Sequence, residues 1–157
     1  DSSGAVRVGR SMKRWEYRTF HVANGLVAVT GVVYGWMRYV MNPADDFSVV
    51  IHPWQPHVLP LHILVAPFLV AAIGHFAYRH AWRFWQSGNQ EGRRTGLTIG
   101  LLAAPMIFSG YLLQISVAEW ARSMWVWVHV LTSCAWLAIA LTHIAIHIMA
   151  RRQASRA

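Results

Sequence analysis

Four long apolar stretches dominate the sequence, near residues 20–41, 58–79, 96–115 and 125–149, with polar and charged residues gathered between them. Each is about 20 residues or longer, the length a helix needs to cross the hydrocarbon core of a membrane. Backbone groups in lipid must be paired within the segment itself, so each stretch is expected to be an α-helix. No alternating strand pattern competes, and no repeat at a fixed longer period appears. The pattern therefore predicts an all-α protein: an integral membrane four-helix bundle, forming a single transmembrane domain over residues 1–157. The first stretch does not read as a cleaved signal peptide, because it is too long, has no small-residue cleavage site and is followed by three more spans.

Composition supports the same class. Of 157 residues, 55% are hydrophobic and only 13% charged, against about 25% charged in an ordinary soluble domain. So little charge cannot cover a water-facing surface, and so much apolar residue excludes disorder. The net charge of +8 does not point to nucleic acid, because the basic residues flank apolar runs instead of lining a polar face. Arg7, Arg10, Lys13, Arg14 and Arg18 precede the first stretch. Arg79, Arg83, Arg93 and Arg94 lie between the second and third, and Arg151, Arg152 and Arg156 follow the fourth. The opposite side carries Arg38 and Arg122, with Asp45, Asp46 and Glu119. The positive-inside rule puts both termini in the cytoplasm of a bacterial inner membrane. Asn42–His57 and the short Ser116–Met124 turn then face the periplasm. The lone Cys134 leaves no internal disulfide and no cysteine-based metal site, and reads as a small buried hydrophobe.

Histidine changes the picture. Nine are present, and ionisable groups inside a membrane are costly and usually functional. His129 and His143 are fourteen residues apart on the fourth stretch, which is about 40° around a helix and about 21 Å along it. They share a face, one near each membrane surface. Neutral imidazole is a strong ligand for iron, and helix bundles host such sites on inward faces. The expectation is two b-type haems at two depths, each with two histidine ligands. At the periplasmic level His62 matches His129. At the cytoplasmic level both His21 and His75 are available to pair with His143. His75 is thirteen residues from His62, about 140° around the same helix and so on its opposite side. His21 comes from another helix and is preferred. His75, His80 and His147, taken singly, read as packing or supporting residues, with His147, one turn beyond His143, the alternative ligand at that level.

Small and basic residues add to this. Gly25, Gly31 and Gly35 on the first stretch, and Gly96, Gly100 and Gly110 on the third, permit close approach of a macrocycle or of a neighbouring helix. Arg38 lies at the outer end of the first stretch, against the charge trend. It is a candidate partner for a haem propionate or a snorkelling side chain. Arg122 has the same two readings.

These residues resemble the di-haem cytochrome b membrane subunits of nickel–iron hydrogenases and formate dehydrogenases, a family related to small bacterial four-helix cytochromes b. The resemblance rests on Trp15-Glu16, on Arg18-Thr19-Phe20-His21, on Thr30-Gly31, on His62, on the Arg79-His80-Ala81-Trp82 exit and on the pair His129 and His143. It implies that His21 and His143 ligate the cytoplasmic-side haem and His62 and His129 the periplasmic one. It also implies electron relay between a periplasmic redox partner, carrying iron–sulfur or c-type haem centres, and the quinone pool, with the quinone beside the cytoplasmic-side haem. Under that reading the chain is a subunit of a larger quinone-linked oxidoreductase, since it has no motif for flavin, nucleotide or molybdenum.

Two other readings compete. One is a stand-alone cytochrome that oxidises superoxide or quinol. The other is a non-redox membrane scaffold or metal-binding protein, to which His52 and His57 would contribute. The segment Pro43–Pro60, with Phe47, Trp54 and four prolines, is the expected partner-facing connection. Its prolines reduce the ordering cost of docking, and Trp54 is the candidate anchor.

Overall fold

A computed structural model of the chain describes residues 14–43, 50–77 and 93–155. Among them every regular element is helical. The helices are α1 (Arg14–Tyr39), α2 (Gln55–Phe76), α3 (Arg93–Ile115) and α4 (Glu119–Ala154). All four are long and apolar enough to cross a membrane. The acidic pair Asp45 and Asp46, Phe47, the Arg79-His80-Ala81-Trp82 exit and the basic residues Arg7, Arg10, Lys13, Arg83 and Arg156 lie outside the described residues.

The helices run past the apolar stretches. α1 begins at Arg14, six residues before the apolar stretch at 20, and α4 spans 36 residues where 25 were expected. Arg, Glu and Ala are good helix formers, so the polar ends continue the hydrogen-bonded ladder beyond the apolar part. The expected Ser116–Met124 turn shrinks accordingly to the three residues between Ile115 and Glu119. Arg122 donates from Nη1 to the Leu113 carbonyl at 3.1 Å. That carbonyl is among the last four of α3, which have no partner within their own helix. α1 has Glu16 in its first turn and Arg38 in its last, both matched in sign to the helix dipole. α2 starts three residues before its apolar stretch, with Pro56 in the first turn, where a missing N–H costs nothing. His52 helps shape this start. Its carbonyl accepts from Gln55 N–H at 2.9 Å and its Nδ1 from Trp54 N–H at 3.2 Å. Trp54 itself is 67% exposed.

The chain divides into two compact units, Asp1–His80 and Ala81–Ala157. The first contains the α1·α2 hairpin and the second the α3·α4 hairpin. Each hairpin is built on a seven-residue repeat. The buried residues of α1 are Glu16, Ala23, Thr30 and Met37, each seven apart. On α4 the repeat runs His129, Trp136, His143. On α3 it runs Gly96, Ala103, Gly110, with Thr95 and Ser109 beside the two glycines. A repeat of seven keeps one seam turned toward the partner helix, at about 3.5 residues per turn. Large side chains on α4 thus meet small ones on α3. Most other large apolar side chains are exposed, as they must be if lipid is the solvent. Cys134 is exposed too, contrary to the expectation of burial. It falls off the α4 seam, and an apolar neighbourhood in sequence does not mean a protein neighbourhood in space.

Candidate cofactor-ligand site

Three histidines meet the neighbouring helix of their own hairpin in the same way. His62 on α2 lies against Thr30 and Gly31 of α1. Its Nδ1 is 3.0 Å from Thr30 Oγ1, and a Cβ added at Gly31 would stand 2.9 Å from its Cε1. His129 on α4 lies against Ser109 and Gly110 of α3, with Nδ1 3.3 Å from Ser109 Oγ and the Gly110 Cβ position 3.1 Å from Cε1. His143 lies against Thr95 and Gly96, with Nδ1 2.8 Å from Thr95 Oγ1 and the Gly96 Cβ position 3.6 Å from Cε1. A hydroxyl holds one ring nitrogen, and the following glycine leaves room for the ring. At Gly31 an added methyl would force the His62 ring to shift, and at Gly110 it would press the His129 ring tightly.

Proton counting assigns the tautomer at two of these rings. A carbonyl oxygen accepts only. His129 Nδ1 lies 2.9 Å from the Met106 carbonyl, so Nδ1 carries the proton and donates it there. Ser109 Oγ spends its one proton on the carbonyls of Pro105 (2.6 Å) and Met106 (3.0 Å), so toward His129 it acts as a second acceptor. Thr30 Oγ1 donates to the Leu26 carbonyl at 2.7 Å, so it accepts from His62 Nδ1–H. Both imidazoles therefore keep their lone pair on Nε2. At His143 the hydroxyl contact is compatible with either tautomer. The ring of His147 packs edge-on against that of His143, at a centroid distance of 4.5 Å.

Hairpin α1·α2 has a different second contact. His75 Nε2 donates to Glu16 Oε1 at 2.9 Å; the Glu16 side chain is 4% exposed and that of His75 48%. The Trp15 ring lies beside His75. The expectation that His62 and His75 lie on opposite sides of α2 is corrected here, since both reach α1. At 3.5 residues per turn thirteen residues amount to roughly 100° and not 140°, so His75 flanks the seam and its long side chain reaches across. His21 is exposed on α1 and touches the ring of the adjacent Phe20. Arg38 is exposed in the last turn of α1, and His57 is exposed in the first turn of α2.

Within the described residues no group of three or more His, Cys, Asp or Glu side chains is placed to hold a bare metal ion. What each hairpin offers instead is single imidazoles with a defined lone pair, suited to a group that brings its own remaining ligands. Gly25, Gly35 and Gly100 have no atom of the described residues within 4 Å of an added Cβ. The buried Trp136 indole N–H, seven residues from His129 and from His143, finds no acceptor among the described residues, and nothing in the structure accounts for it.

Thr30-Gly31 was legible as a motif. The two α3 pairs, Thr95-Gly96 and Ser109-Gly110, were not recognised as such, although their fourteen-residue separation equals that of His143 and His129 and would have revealed them. Trp15-Glu16 was legible as part of the resemblance, but nothing in the sequence pointed to its contact with His75. Comparison of the chain with family models, with curated proteins and with solved structures finds no match.

Proposed function

We propose that the chain is a di-haem b-type membrane cytochrome that relays electrons between a redox partner on the outer face and the quinone pool, as a subunit of a larger oxidoreductase in a bacterial inner membrane. The observation that carries this reading is the recurrent cradle. Three of the four histidines expected to be ligands have Nδ1 on a Ser or Thr hydroxyl and the ring over a glycine. At His62 and His129 the lone pair is held on Nε2. An iron ligand needs a deprotonated ring nitrogen, and a hydrogen bond at the other nitrogen fixes ring orientation and raises basicity.

In this reading His62 with His129, and His21 with His143, would hold the two haems. Haem iron supplies one-electron redox chemistry when bound. The chain's own residues do the rest. Thr30, Ser109 and Thr95 orient the rings, Gly31 and Gly110 admit them, and the open positions beside Gly25, Gly35 and Gly100 leave helix surface without side chains. What favours His21 over His75 as the fourth ligand is the Glu16 carboxylate on His75 Nε2, which engages the nitrogen a ligand would use. Arg38 would pair with a propionate, and His147, beside His143, would exchange protons with a quinone near that end. The exposed Trp54 would meet the outer partner.

Absorption spectra of the purified protein, oxidised and reduced, with a haem assay test the reading. Two low-spin b-type haems per chain are expected. One haem removes the two-level assignment, and none removes the cytochrome reading in favour of a non-redox membrane protein. Oxidation of superoxide by the purified chain alone would favour the stand-alone cytochrome.

A further inference from the structure

One histidine meets a carboxylate where the cradled ones meet hydroxyls. In the first turn of α1 the Glu16 side chain is 4% exposed and lies 2.9 Å from His75 Nε2, while the His75 side chain is 48% exposed. The hydroxyls at His62, His129 and His143 do not titrate. A carboxylate and an imidazole together gain and lose a proton. An ionisable side chain buried in a membrane helix is costly and marks a functional site. We propose that Glu16 and His75 form a proton-binding site coupled to the redox centre that His21 would hold, taking up one proton from water as one electron arrives there. The inference rests on the haem reading above and adds a proton site to it.

The geometry supplies an entrance and a coupling. His75 is the entrance, half exposed where Glu16 is enclosed, with the Trp15 ring beside it at 6.2 Å. His21 follows Glu16 by five residues, about 7.5 Å along α1. Phe76, next to His75 in the chain, stacks on Phe20 at 4.6 Å, and Phe20 meets the His21 ring at 5.7 Å. Apolar rings therefore lie between the pair and His21, and such a medium screens charge weakly. An electron at His21 and a proton on the pair stabilise each other, and by linkage the effect is equal in both directions. The other charged and titratable groups at this end of α1 are Arg14 and Arg18, both exposed and so screened by solvent, and Tyr17, whose ring packs on Phe76 at 5.6 Å. On α2 His75 is the one titratable side chain among the described residues of this end. Quinone reduction consumes two electrons and two protons, so a site that loads one proton with each electron matches that acceptor.

Redox titration of the haem-loaded chain in detergent, repeated across pH, tests this. The midpoint of the component lost in His21→Ala should fall as pH rises through the titration of the pair, because its reduction takes up a proton. For one proton per electron the slope approaches about 59 mV per tenfold change in proton activity. The other component should keep its midpoint. Reduction in weakly buffered solution with a pH-indicator dye should show the matching proton uptake. Glu16→Gln keeps a hydrogen-bonding side chain of the same size that does not ionise. It should retain both haems and abolish the slope and the uptake. His75→Gln, at a half-exposed position, should do the same and carries the test if Glu16→Gln does not fold. A slope that survives these substitutions, a slope in the component lost in His129→Ala, or two pH-independent midpoints would overturn the proposal while leaving the di-haem reading intact. A preparation that takes up no haem overturns both.

Discussion

The two hairpins share a scaffold and differ in what they place on it. Both pack along a seven-residue seam, and both set a histidine against a hydroxyl–glycine pair: His62 on Thr30-Gly31, His129 on Ser109-Gly110. Fourteen residues further along its seam, the α3·α4 hairpin repeats the arrangement with Thr95-Gly96 and His143. Fourteen residues back from Thr30, the α1·α2 hairpin has Glu16 instead, and the histidine that meets it is His75. In the cradles a hydroxyl holds the imidazole by Nδ1. At His75 a buried carboxylate holds the ring by Nε2 instead. The second hairpin thus offers two cradled imidazoles and the first offers one, so in the proposed function the fourth ligand is a residue outside the cradles. In that reading the residue is His21, which is exposed and uncradled.

The largest effect that would break this comparison is the loss of a whole haem. His21→Ala is expected to leave one haem per chain and His75→Ala to leave two, by haem assay on detergent-solubilised protein. Retention of both in His21→Ala with loss of one in His75→Ala would show that the Glu16 pair yields to ligation, and would make the hairpins alike.

The glycine series sharpens the comparison. An alanine methyl would stand 2.9 Å from the His62 ring at Gly31, 3.1 Å from the His129 ring at Gly110 and 3.6 Å from the His143 ring at Gly96. Overpacking of this kind costs about 1–3 kcal/mol. Haem retention is expected to fall in Gly31→Ala most, in Gly110→Ala next and in Gly96→Ala hardly at all. An equal loss in all three would mean that the cradles tolerate or reject a methyl for reasons other than ring clearance.

The smallest expected effect concerns Glu16. Glu16→Ala removes an interhelical hydrogen bond from a buried carboxylate, and such losses run at about 1–3 kcal/mol. Denaturant titration in detergent should show that decrease with both haems retained. Loss of a haem at unchanged stability would instead tie Glu16 to the ligand set.

What the sequence determined by itself was the medium and the element type. Four apolar stretches at this length permit only helices in lipid, and the His129–His143 spacing puts both imidazoles on one face whatever surrounds them. That much follows from helix periodicity, which is local. Contacts between helices are not local, and only the tertiary structure decided them. Thr95, Ser109 and Gly110 acquired meaning when the register of α3 against α4 brought them to the two rings, and Glu16 when α1 met α2 at His75. The rotation of His75 was misjudged for the same reason: a free helix turns every 3.6 residues, whereas a helix packed along a seven-residue seam keeps returning to its partner. Which nitrogen of His62 or His129 carries the proton was the least legible of all, because it depends on where a neighbouring hydroxyl has already spent its own.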